Sequence, residues 1–223
     1  SRRQRQMCIR DSIGTIVGIV CTSMVAYTLS RRDFVLRKPF QLLFVVTMYV
    51  SGGMIPEYLL IIRTLKLGNN FMVYILPGLM WVYNMILVRS YIDGLPMALQ
   101  EAAKLDGAND FQIWYKVVMP LCKPVIATVG LYYAVGQWNS YFNALIYIRS
   151  ESLQPLQIVL RSILVGNQTM SAMSTGAAAV EAKQMADLIK YAIIVVSSAP
   201  IMCMYPLVQK YFNQGVMLGS LKG

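Results

Sequence analysis

The sequence predicts an all-α fold, a polytopic bundle of membrane-crossing helices, and three observations carry that prediction. Of the 223 residues, 57% are hydrophobic and only 13% charged, a balance outside the usual range of soluble domains. Five apolar runs are each about as long as a bilayer crossing, which takes about 20 residues. The charged residues gather between those runs, with basic residues at their ends, where they orient membrane helices.

Composition also removes several function classes. The net charge of +10 would suggest nucleic acid in a soluble protein, but here the basic residues sit at span ends, and no nucleic-acid-binding module is visible. There is no histidine, so histidine metal centres and histidine general bases are excluded. Cys8, Cys21, Cys122 and Cys203 lie far apart, which favours free thiols over a disulfide framework or a zinc site. No GxxxxGK[ST] loop occurs, so the chain is expected to bind no ATP through a P-loop and to carry no cofactor of its own.

Taken in order, Ser1 to Asp11 (SRRQRQMCIRD) is basic and lacks periodicity. It resembles translated sequencing-adapter read-through and is set aside as a non-native segment, leaving 12–223 as the membrane domain. The first span covers 13–30, with a Gly14/Gly18 GxxxG pair suited to close helix packing. Arg31, Arg32, Arg37 and Lys38 place the following loop in the cytoplasm. The second span, 40–62, should kink at Gly52-Gly53 and Pro56. Glu57, near its outer end, can reach the interface or pair with Arg63. After a turn at 66–70, the third span, 71–91, returns inward with Trp81, Tyr83 and Asn84; an asparagine in hydrocarbon must face a neighbouring helix or a translocation path.

The loop 92–123 is then cytoplasmic. Met97 to Leu105 should form a helix stopped by Gly107. Asn109 and Asp110 can cap a second helix, with Phe111, Trp114, Val117 and Val118 on its apolar face and Pro120 at its end. The fourth span, 124–148, is too polar and aromatic to face lipid. Tyr133, Gln137 and Ser140 share a stripe by i, i+4, i+7 spacing, with Asn139 nearby. Amides and aromatic planes of this kind bind sugars, and equally hold helices together or line the outer interface. An external segment, 149–186, should be a loop with a short helix. The last span, 187–209, is interrupted by Pro200 and Pro206 and leads to a cytoplasmic tail, 210–223.

The residues Glu101-Ala102-Ala103, then Asp106-Gly107-Ala108, then Val117 and Met119-Pro120 resemble the EAA loop of ABC-importer permeases. Val117 stands where the family has Ile, and Met119 where it has Leu. The EAAxxDGA form is similar to the carbohydrate-uptake, MalG-like branch, and GLYYAVGQWNSYFNALIYI with LQPLQIVLR resembles its YtcP- or LplC-like group. The resemblance implies a permease bundle of the MalFG/MetI-like type. Glu101, Ala102, Ala103, Asp106, Gly107 and Pro120 would then belong to a coupling helix seated in a cleft of a separate ATP-hydrolysing subunit. ATP and Mg would be bound in that partner dimer, so this chain would not itself be an enzyme. A second permease subunit and an extracytoplasmic solute-binding protein are implied, in a bacterial cell membrane. Trp81, Tyr83, Asn84, Tyr133, Gln137, Asn139 and Ser140 become candidates for the path of a sugar or oligosaccharide. Gly219 and Lys222 resemble a closing tail that reaches toward the ATPase.

The family has six spans with both ends cytoplasmic. Five spans here would put the basic N-terminal residues outside, against the positive-inside rule, so a first span is expected to be missing from the chain. An importer of another solute remains the alternative, as does an ATP-independent channel or secondary transporter. The latter would be expected to carry intramembrane acidic pairs, and only Glu57 is available.

Overall fold

The computed structural model describes residues 2–150, 153–173 and 177–220, and its regular structure is all helical among the described residues. Helix α1 (Arg2–Ser30) runs unbroken through the first span and includes the basic segment set aside above. It packs against α8 (Lys123–Trp138) through its GxxxG pair. A Cβ on Gly14 would come within 2.9 Å of the Gln137 side chain, and one on Gly18 within 2.9 Å of the Tyr133 ring. The small-residue face therefore accommodates two large polar side chains of the same chain, the close approach such pairs permit.

The second span departs from the expected single kinked crossing. Helices α2 (Arg37–Tyr49) and α3 (Met54–Leu59), the latter continuing as a π turn at Leu60–Thr64, meet at 113°. Val50 is extended and Gly53 has φ +87°. Four non-helical residues with one in the glycine-favoured region reverse direction instead of merely bending a helix.

The third span is broken as well. A 3-10 turn at Phe71–Tyr74, capped by Asn70, is followed by seven non-helical residues around Pro77-Gly78, and helix α4 begins only at Val82 (Val82–Asp93). Proline removes a backbone donor and glycine adds freedom, so the helix yields there.

The stretch expected to be the cytoplasmic loop folds as α5 (Met97–Leu105), α6 (Asp110–Gln112), a π segment (Ile113–Val118) and α7 (Met119–Leu121). A turn at Cys122 leads into α8, which meets the Asp110–Leu121 segment at 87°. Helix α8 stops at Trp138, and a short α9 (Phe142–Tyr147) completes the fourth span. The segment expected to be an external loop contains a full 18-residue helix, α10 (Leu156–Met173), longer than its sequence suggested. Helix α11 (Ala177–Ser220) runs through both Pro200 and Pro206 without interruption. The Trp138 indole donates to the Ser197 carbonyl at 3.0 Å, fastening α8 to α11 close to Pro200.

Among the described residues, two helices, Met7–Ser30 and Lys183–Cys203, are long and apolar enough to cross a membrane unbroken, and up to four qualify if each bent pair counts as one span. The larger core joins Ala26, Tyr27 and Leu29 of α1, Met85, Val88 and Ile92 of α4, Ile113, Trp114 and Val118 of the π segment, and Val129 and Tyr133 of α8. A smaller outer core joins Ile61, Val73, Tyr74, Ala144, Tyr147 and Ile148. There the Asn69 side-chain oxygen accepts from the backbone of Arg149 and Ser150, pinning the turn after the second span to the end of the fourth. Helices α2 and α3 bury no residue, the surface expected of elements that meet lipid or a neighbouring subunit.

Candidate functional site

The loop at 97–121 is built by two capping motifs set back to back. At the end of α5, the Ala108 N–H donates to the Ala103 carbonyl and the Gly107 N–H to the Lys104 carbonyl, both at 3.0 Å. This is the Schellman pattern, and it requires a left-handed residue after the cap; Gly107 supplies it with φ +79°. Two residues later the next helix starts with a capping box. The Asn109 side chain accepts from the Gln112 N–H at 2.8 Å, and Gln112 accepts from the Asn109 N–H at 3.0 Å. The sequence pointed to Asn109, but the reciprocal role of Gln112 was missed, although its place three residues on is the signal for it.

The apolar face expected on Phe111, Trp114, Val117 and Val118 is shifted. Ile113, Trp114 and Val118 are buried, while Phe111 is 61% exposed. A π segment carries more residues per turn than an α-helix, so the 3.6-residue spacing misassigns its inward face. Pro120 does not end the helix either; the chain remains helical to Leu121 and breaks at Cys122.

Glu101, Ala102, Asp106, Gly107 and Pro120 are exposed, and Ala103 is half-buried. Glu101 and Asp106 make no ion pair among the described residues. Between the two helices lies an open cleft of about 420 Å³, lined by Ala103, Asp106, Gly107, Ala108, Gln112 and Lys116 among others. Small side chains at its edge leave the backbone approachable, and the unspent carboxylates can meet a basic partner. The loop is also tied to the α1–α2 connection. The Lys104 ammonium donates to Asp33 at 2.9 Å, and Arg31 pairs with Asp33 and with Asp110. The sequence assigned Arg31 to topology alone.

The candidate path residues divide differently. Tyr133 is 1% exposed, and its hydroxyl is engaged twice, with the Thr22 hydroxyl at 2.6 Å and with the Trp81 N–H at 3.0 Å. Gln137, 7% exposed, donates weakly to the Tyr74 carbonyl at 3.5 Å. Trp81 and Tyr74 flank the unwound stretch of the third span, so both side chains supply partners to backbone groups that the break released, as an apolar surrounding demands. Trp81 also packs its ring on Tyr133, with centroids 5.4 Å apart.

Asn84 is fully buried, and neither amide atom has a hydrogen-bond partner among the described residues. Tyr83 and Asn139 are exposed. Ser140 falls beyond the end of α8 and bonds to the Gln137 carbonyl at 2.7 Å, so the proposed helical stripe stops before it. The structure thus brings Trp81 and Tyr133 together, buries Gln137 on the same helix, and leaves Tyr83 and Asn139 exposed. In the tail, Gly219 lies within the last turns of α11, and Lys222 lies outside the described residues.

Residues 14–218 match the model of the binding-protein-dependent transport system inner membrane component family. The polygalacturonan/rhamnogalacturonan transport system permease protein YtcP of Bacillus subtilis is 41% identical over 95% of this chain and 73% of its own length. Protein LplC of the same organism is 39% identical over 95% of the chain and 70% of its own. Among solved structures, a bacterial ABC transporter involved in the import of the acidic polysaccharide alginate superposes with a TM-score of 0.79 at 33% identity, covering 95% of this chain and 74% of that one. The chain therefore belongs to the family of inner membrane components of binding-protein-dependent ABC transport systems.

Proposed function

We propose that the chain is one of two transmembrane subunits of an importer that moves a sugar or oligosaccharide by alternating access. ATP and Mg are bound by a separate ATPase dimer, and an extracytoplasmic solute-binding protein delivers the cargo. The relatives' transport of polygalacturonan and rhamnogalacturonan, of arabinooligosaccharides and of alginate supports the carbohydrate reading.

The observation that carries the coupling role is the geometry of 97–121. Two capped helices present Glu101, Ala102, Asp106 and Gly107 outward, and the second of them meets the fourth span at 87°. A segment at right angles to a span acts as a lever on it, whereas a collinear segment would only extend it. When ATP closes the partner dimer, the loop is carried with it and rotates the α1, α4 and α8 core to which its π segment is packed. Hydrolysis releases it.

In proteoliposomes holding the complete importer, Glu101→Lys and Gly107→Pro should abolish solute uptake while the subunit remains in the membrane. Proline cannot adopt the positive φ of Gly107. Normal uptake by both variants would rule the assignment out.

A further inference from the structure

The coupling loop is held to the rest of the subunit by more than apolar packing. Arg31, at the cytoplasmic end of α1, has a side chain only 13% exposed. Its guanidinium accepts no hydrogen bond and offers donors in a fixed fork, so it can serve several acceptors at once. Here it serves three. One Nη donates to the Tyr27 hydroxyl at 2.9 Å, and the same nitrogen lies 3.1 Å from Asp110, the first residue of α6. The other Nη pairs with Asp33. Asp33 in turn accepts from Lys104 of α5 at 2.9 Å. Both coupling helices are thus connected to one arginine, α6 directly and α5 through Asp33, and that arginine is anchored to α1 by Tyr27, itself 5% exposed within the main core.

The outer members of this network are accessible: Asp33 is 60% exposed, Asp110 71% and Lys104 44%. Exposed pairs of this kind contribute little to stability. Their shared dependence on one largely enclosed, planar donor instead fixes geometry, because the loop is in register with α1 when both carboxylates meet the same fork.

We propose that Arg31 is a positioning residue that sets the register between the coupling loop and α1, so that loop movement is delivered to α1 as well as to α8. This rests on the coupling reading of the EAA loop. Glu101 touches the partner in that reading, whereas Arg31 acts only through Asp33 and Asp110.

The test is the ratio of ATP hydrolysed to solute imported by the complete importer in proteoliposomes. The variants are Arg31→Ala, Arg31→Lys and the double change Asp33→Asn with Asp110→Asn, with Glu101→Lys as reference. Arg31→Ala and the double variant should assemble with the ATPase and raise the ratio several-fold. Arg31→Lys, which keeps the charge but not the fork, should restore it only in part. If Arg31→Ala does not assemble, the double variant, altered only at exposed carboxylates, decides. An unchanged ratio in the assembled variants, with Glu101→Lys uncoupled, overturns the proposal alone. An unchanged ratio in Glu101→Lys as well overturns the coupling reading beneath it. Full recovery by Arg31→Lys would show that charge without forked geometry suffices and would also overturn the assignment.

Discussion

The loop at 97–121 and the polar stretch of α8 are both conspicuous in the sequence, and they use their polar groups in opposite ways. On the loop, Glu101 and Asp106 are exposed and uncommitted to any ion pair among the described residues. On α8, Tyr133 and Gln137 are buried, and their polar atoms are directed at the chain's own broken third span and, for Tyr133, also at Thr22 of α1. A polar residue free of internal partners is available to another molecule. One that replaces a lost backbone hydrogen bond is framework, however functional its chemistry looks.

The sharpest way to break this contrast is steric. Gly136 lies against Trp81, and a Cβ there would clash with the indole ring. Gly136→Val should displace Trp81 from Tyr133 and destabilise the subunit by about 1–3 kcal/mol, the usual cost of overpacking. The check is the thermal unfolding midpoint of the purified importer in detergent.

Tyr133→Phe should have an effect of comparable size. It keeps the ring but strands the Trp81 N–H and the Thr22 hydroxyl, and should cost about 1–3 kcal/mol, the penalty for an unmade buried hydrogen bond. The framework reading predicts an unchanged KM for uptake, whereas a hydroxyl that touched cargo would raise KM with little loss of stability.

The smallest effect concerns the loop's own electrostatics. Lys104 and Arg31, hydrogen-bonded to Asp33, hold its carboxyl down to about 2 from an ordinary 3.8. A lowered folded value means that the attachment is complete above about pH 4 and is lost as pH falls through about 2. Asp33 is largely in solvent, so the change should be local. NMR titration of its carboxyl carbon should give a midpoint near 2, and a midpoint near 3.8 would show that the network is not formed.

Much of this was legible in the sequence, and the parts that were not share a cause. Gly107 as a helix stop and Asn109 as a cap were readable because capping chemistry is local. The intrachain packing of Gly14 and Gly18 was half-readable: the spacing was plain, but the partner lies more than 100 residues away in α8. Backbone irregularity was the least visible. The π segment at Ile113–Val118 moved the buried face off Phe111, and the breaks near Gly53 and Gly78 turned expected single helices into pairs. Hydrophobic periodicity assumes a regular helix and cannot register an inserted residue. The roles of Tyr133, Gln137 and Arg31 follow from those irregularities and from long-range contacts, so composition could suggest their chemistry but not its object.

The central claim is that the Glu101 to Gly107 surface is where the ATPase docks, and it is tested most directly by photo-crosslinking in the intact importer. A photoreactive amino acid placed at Ala102 should cross-link to the ATP-hydrolysing subunit, while one at Tyr133 should yield only products within the permease. Absence of an ATPase adduct from Ala102 in an assembled, transporting complex would contradict the account.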